Sequence, residues 1–353
     1  ATASAMRRWT LFFVLLLATL GVARRAPWSG WVDGVRIGGP QQAGRLVLYP
    51  LSGAPRQLPR CLTLDVALER EQLSVREISE GGSVNQVRLE NRGERPIFIM
   101  AGEVLSGARQ DRILQKDVWL PGYSGPVIVS AFCVEHGRWS YKSEHRHFES
   151  KGTLSNVKVR QSAMVEGQDK VWASVAETCR AGKVEAPTGS LNAVYEDGEM
   201  RRRIVRWEDD LRNLPDDFPT MNGAALQVGG RILAVDLFPD QRIFLALWPK
   251  LLKSYALEAA ISERDNQECD RGAVRDFLTD LAEGDVRTLT NPGEGVLFGL
   301  RDSALDGQGL VLDEGLVHLQ AMSRLQVRPY KPSPSPSPWP PAIEMLKPTR
   351  PRP

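Results

Sequence analysis

Acidic, basic and amide side chains crowd into one stretch of the chain, and their types are those that hold or activate a small polar molecule. From Ala101 the sequence reads Gly102-Glu103-Val104-Leu105-Ser106-Gly107-Ala108-Arg109-Gln110-Asp111-Arg112 and continues through Lys116 to Asp117. A second run ends Cys133-Val134-Glu135-His136-Gly137-Arg138-Trp139. Arg112 and Arg138 suit an anionic or carbonyl group, because a guanidinium offers a planar fork of donors. Glu103 or Glu135 can accept from hydroxyls, and either is a candidate general base. Gln110 and Asp117 add polar contacts, and Trp139 is the candidate wall. Glycines at 102, 107 and 137 permit close backbone approach. The same residues have a second use, as a salt-bridge network that fastens a loop to a sheet.

Two other chemistries are weaker. His136, His145 and His147, with Glu144 or Glu149, form a candidate metal set, since His145 and His147 would project from one side of a strand. The chain holds only four histidines, however, and 142–151 reads as an exposed loop. Cys133 and His136 make a poor nucleophile pair, because three residues along a strand puts them on opposite faces. No phosphate loop of the form G-x-x-x-x-G-K-[ST], no H-E-x-x-H and no G-x-S-x-G occurs. The residues name no cofactor.

The elements that must position these residues are legible from pattern. Short apolar runs separated by Gly, Pro, Asn and Ser turns predict an N-terminal antiparallel β-meander, sandwich or barrel-like, over residues 32 to 140. Its strand candidates are 45–49, 62–68, 84–89, 96–101, 113–120 and 127–135. Period two turns Ala131, Cys133 and Glu135 to one face, and puts Arg112 and Lys116 together on the neighbouring strand. Beyond residue 160 a helical period takes over, with helices expected at 168–180, ending at Gly182, and at 199–214. Gly229-Gly230 predicts a tight hairpin between 226–228 and 231–237. A helix opened by Pro239-Asp240 should run toward Glu263 and be kinked or split at Pro249. A further helix at 272–281 and short closing strands at 295–300, 310–312 and 316–321 complete an α+β order.

Composition bounds the function. The 353 residues carry a formal charge of +2 and 25% charged residues, which excludes a polybasic nucleic-acid binder. Arg7-Arg8, the apolar run 9–20 and Gly21-Val22-Ala23 read as a secretory signal peptide over residues 1–23. That predicts an exported protein, periplasmic or extracellular, with no stable membrane span after cleavage. Export makes Cys61, Cys133, Cys179 and Cys269 candidates for disulfides, buried thiols being the alternative. Residues 24–34 read as a linker, and 35–328 as one α+β domain, β-rich to 150 and mixed helical thereafter. The Pro/Ser-rich stretch 329–353 reads as an extended, disordered tail.

Several motifs together resemble a bacterial family. They are Asn91-Arg92-Gly93, Ala101-Gly102-Glu103, Gly107, Gln110-Asp111-Arg112, Lys116-Asp117 and Cys133-Val134-Glu135-x-Gly137-Arg138-Trp139. A later block, Gly230-x-Ile232-Leu233, Leu237-Phe238 and Leu247 through Ala259, including Ser254 and Tyr255, continues the match. The chain is similar to the ARG-and-rhodanese-phosphatase-superfamily-associated protein domain, a domain of unknown function, over roughly residues 35 to 325. The resemblance implies only that these residues occupy motif positions; the family's name hints at ADP-ribose or nucleotide-related chemistry. The expectation is therefore an exported binding protein for a small polar or anionic ligand. The rival readings are a hydrolase acting on a ribosyl or phosphoester substrate through Glu103 or Glu135, and a structural or interaction module.

Overall fold

Gly229 and Gly230 both have positive φ, 59° and 74°, and close the expected hairpin between the strands Gly223–Val228 and Arg231–Leu237. The computed structural model of the chain describes residues 26–78, 85–138, 148–263, 270–313 and 315–324. The stretch 1–23 that reads as a signal peptide, Trp139, Glu144, His145, His147, Cys269 and the Pro/Ser-rich stretch 329–353 lie outside the described residues.

The hairpin is the centre of a nine-stranded antiparallel sheet. Leu46–Ser52 pairs with Gly223–Val228 on one side, and Gly315–Ser323 pairs with Arg231–Leu237 on the other, so distant parts of the chain share one sheet. Leu305–Leu312, Val296–Arg301 and Val286–Leu289 extend it. Both faces are buried. Ala224, Leu226 and Ala234 pack in one cluster with Phe244, Leu247 and Tyr255 of the helix Gln241–Ile261. Ala225, Val235 and Leu237 pack in another with Val274, Phe277 and Leu281 of the helix Arg271–Glu283. Period two thus feeds two cores, which is why these strands read as unbroken apolar runs.

The N-terminal antiparallel strands that carry the polar motif fall mainly in a six-stranded sheet, ordered Phe148–Leu154, Glu103–Gly107, Arg112–Leu114, Gly125–Cys133, Gln86–Asn91, Leu73–Glu77. Alternation along Gly125–Cys133 is as expected, with Val129, Ala131 and Cys133 buried and Ile128 exposed. The mixed α+β class stands. Two strand expectations change locally. Residues 62–68 are a strand only at Leu62–Thr63 and then a helix, Leu64–Glu69, because Leu64 and Ala67, three apart, are the buried pair. The run 113–120 breaks at 115–117: Arg112–Leu114 joins the six-stranded sheet, while Val118–Leu120 joins a three-stranded one. Asp117 turns into the core at the break.

The helices follow their periodicity. Gln168–Gly182 closes through Lys183, whose φ of 56° gives it the left-handed position expected for Gly182. Gly198–Leu211 buries Met200, Ile204 and Leu211, and a separate turn, Leu214–Asp217, follows. Gln241–Ile261 runs unbroken through Pro249, held by buried Leu247, Trp248, Leu251 and Leu252 on either side, so the expected split is absent. Cys61, Cys133 and Cys179 are unpaired thiols. Among the described residues, no helix is long and apolar enough to cross a membrane.

Candidate functional site

The polar motif divides among separate surroundings. Asp117, from the strand break, is fully buried. Its Oδ1 accepts from the Ala101 backbone N–H (2.8 Å) and from Gln320 Nε2 (3.2 Å), and its Oδ2 lies 2.7 Å from His318 Nδ1. His318 and Gln320 project from the same face of Gly315–Ser323, as residues two apart must. Asp236 lies opposite Gln320 in the sheet and 3.4 Å from His318 Nε2. Arg160, from the helix Val157–Val165, donates to both oxygens of Asp236 at 2.9 Å, and the Tyr255 hydroxyl donates to it as well. Two carboxylates and two cations therefore balance charge in a site with no exposure. Burial alone would push His318 down, but the flanking carboxylates outweigh it and raise its pKa to about 8. Burial likewise opposes ionised Asp236, and Arg160 and His318 overcome it, lowering that carboxyl to about 2.

Glu103 has a different partner. Fully buried on Glu103–Gly107, it accepts from the Met100 backbone N–H at 2.8 Å and meets Lys250 Nζ at 2.5 Å. Lys250 also holds Asp65 at 2.7 Å. Burial raises the Glu103 pKa, and Lys250 only partly offsets it. Gly102 between these networks has φ 93°, and a Cβ there would meet Arg160 Cδ at 2.5 Å. The Ala101-Gly102-Glu103 motif thus braces three contacts in succession: Asp117, Arg160 and Lys250.

Glu135, Arg138, Gln110 and Arg112 do come together. Arg138 donates to Glu135 Oε2 (2.7 Å), Asp111 Oδ1 (2.9 Å) and the Ala108 carbonyl (3.2 Å). The other Glu135 oxygen accepts from the Thr188 hydroxyl at 3.0 Å. Gln110 Nε2 donates to the Glu135 carbonyl, and Gln110 Oε1 accepts from Arg112 at 3.2 Å. Arg112 is itself fully buried, 3.7 Å from Glu77. Asn192 closes the cluster, donating to Asp111 Oδ2 at 2.7 Å and to Ser106 Oγ at 2.8 Å.

The far side of Asn192 lines an open groove of about 200 Å³ with Lys151, Thr153, Tyr195, Arg201 and Lys253. Glu196 also lines it and pairs with Lys151 at 2.8 Å. Lys253 lies over the Tyr195 ring, 5.1 Å from its centroid, and burial lowers its pKa. The Arg201 side chain has no hydrogen-bond or ion-pair partner among the described residues. Three cations against one carboxylate suit an anion, and Asn192 and Thr153 suit its hydroxyls.

Asp236, His318, Arg160 and Asn192 were not singled out from the sequence as site residues, since each lies far along the chain from its partner or within an apolar pattern, and Asp111 and Lys250 entered only within motifs. Tyr255 was visible only as a motif position. Cys133 is buried with a raised pKa, and His136 packs edge-on to Trp172 at 4.3 Å rather than forming a nucleophile pair. Among the described residues, no His, Cys, Asp and Glu group could hold a metal ion.

Fold and site define an α+β protein whose polar motif braces the meeting of its sheets and borders a cationic groove. The chain belongs to the ARG and Rhodanese-Phosphatase-superfamily-associated Protein domain family, whose sequence profile matches residues 34–322. It is also similar to a curated protein, the cytidylate kinase of Cupriavidus pinatubonensis (strain JMP 134 / LMG 1197), at 24% identity over 156 residues. That match covers 43% of this chain and 64% of the relative's length. No solved structure matches the chain significantly.

Proposed function

We propose that the protein binds a small, polar, anionic ligand in the groove beside Asn192. The observation that carries this reading is that Arg201, without a side-chain partner among the described residues, lines the same groove as Lys151 and Lys253, beside Asn192, which is pinned to the Glu135–Arg138 cluster through Asp111. Arg201 and Lys253 would hold the anionic group, while Thr153 and Asn192 would meet its neutral polar atoms. Binding is preferred to hydrolysis because Glu103 is buried against Lys250 and both Glu135 oxygens are engaged, which leaves neither placed as a general base. The cytidylate kinase likeness supports no kinase reading, since this sequence has no phosphate loop.

The same proposal takes the protein as exported, on the Arg7-Arg8 and apolar 9–20 pattern, with 35–328 as one domain. A thermal-shift panel of nucleotides, ADP-ribose, sugar acids and divalent metals tests the binding. A ligand at about 100 times its Kd should stabilise by about 2.7 kcal/mol. Arg201→Ala should abolish that shift while leaving the unliganded Tm unchanged; a panel without any selective shift rejects the proposal.

A further inference from the structure

A second cleft lies at the end of the motif, where the 115–117 strand break meets the end of the helix Val157–Val165 and the strands Val286–Leu289, Val296–Arg301 and Leu305–Leu312. It encloses about 250 Å³ and is lined by Lys116, Arg287, Arg301, Glu166 and Gln308, among others. The consecutive residues Lys116 and Asp117 diverge there: Asp117 enters the buried His318 network and Lys116 faces the cleft.

The cations are only loosely satisfied. Lys116 Nζ has one hydrogen bond, to the Thr290 carbonyl at 2.8 Å, and burial lowers its pKa. Arg301 makes long contacts, 3.3 Å to the Val165 carbonyl, 3.4 Å to Glu166 and 3.5 Å to Asp306. Asp306 is shared with Arg324 at 3.7 Å. Arg287 has no hydrogen-bond or ion-pair partner among the described residues.

Gln308 is 3% exposed; it donates to the Gln115 carbonyl at 3.3 Å and accepts from the Asp117 backbone N–H at 3.4 Å. The cleft is thereby tied to the charge-balanced core. Gly299 and Gly307 also line the cleft, and neither has room for a side chain: a Cβ would meet Leu289 Cδ1 at 2.9 Å and the Gln320 carbonyl at 2.8 Å respectively.

We propose that this cleft is a separate binding site for a small phosphate-bearing anion. Lys116 acts as a compact point charge, Arg287 and Arg301 as forks for phosphoryl oxygens, and a group carrying two or more negative charges neutralises the excess over Glu166. The volume admits a phosphoryl group with a short organic portion.

Titration calorimetry of the full chain with inorganic pyrophosphate, at low and high salt, tests it. The expected result is a salt-sensitive binding phase that Arg287→Ala and Lys116→Gln each weaken at least tenfold, with Tm unchanged for the exposed Arg287. Arg201→Ala, in the other groove, should leave this phase intact. The proposal is overturned by absence of pyrophosphate binding, by binding indifferent to Arg287→Ala and Lys116→Gln, or by loss of the whole signal with Arg201→Ala. Equal affinity for malonate at the Arg287-dependent phase overturns the phosphate assignment.

Discussion

His318 stands between two carboxylates, with Nδ1 2.7 Å from Asp117 and Nε2 3.4 Å from Asp236, and none of the three side chains is exposed. Its ring also stacks on Phe238 at 4.1 Å. Removing the cation leaves Asp117 buried with only the neutral donors Ala101 N–H and Gln320, while Asp236 keeps Arg160 and Tyr255. His318→Gln is expected to destabilise by roughly 3–5 kcal/mol, the usual cost of breaking a buried pair from one side. Urea unfolding measures it. Adding Asp117→Asn should cost less than the sum of the single changes; strict additivity would separate the two residues energetically.

The pH dependence follows from the same ring. Its folded pKa, about 8, lies above the unfolded value of about 6.5, so its stabilisation is complete below the latter and is lost as pH rises through 8. Between pH 6 and 9 the wild-type chain should lose about 2 kcal/mol that His318→Gln does not lose. Asp236 acts oppositely: its pKa is lowered to about 2, so its contribution is present above about 3.8 and fades as pH falls toward 2. Denaturant midpoints across both windows, compared between the two chains, check the sign.

Lys250 compensates Glu103 and Asp65 at once. Lys250→Met should cost roughly 3–5 kcal/mol, because Glu103 would remain buried without its cation. The double change Lys250→Met with Glu103→Leu should recover much of that loss. A double variant as unstable as the single one would show that packing, and not charge, sets the cost.

Gly102 tolerates no side chain where Arg160 passes. With φ at 93° and Arg160 Cδ 2.5 Å from a built Cβ, Gly102→Ala should destabilise by at least about 1–3 kcal/mol. Thermal unfolding would detect a drop of several degrees. A neutral Gly102→Ala would mean that the Arg160–Asp236 pair can shift without loss.

Burial pushes the Cys61 and Cys179 thiols up to about 11 and raises Cys133 as well. At pH 8 iodoacetamide should therefore label these three slowly in the native protein and fully in denaturant. Peptide mapping separates them from Cys269. Fast native labelling of Cys133 would restore it as a reactive nucleophile.

Much of the secondary structure was legible because local spacing reports which face is buried. Met200, Ile204 and Leu211 mark their helix, and Gly229-Gly230 marks its hairpin, through contacts made within a few residues. The break at 115–117 was illegible because the residues around it fit a strand; only the buried partners of Asp117 explain the turn. For the same reason Glu103 read as a pocket residue beside Glu135, whereas its closest charge is Lys250, 147 residues away.

By itself, then, the sequence determined the α+β order, the family motif and the concentration of charge between 102 and 138, since propensity and periodicity are local. Tertiary structure decided which of those charges are bracing and which border open space. Asp117 meets His318 across 201 residues only because strand order sets them together, and a carboxylate's chemistry depends on the partner and the solvent it finds there.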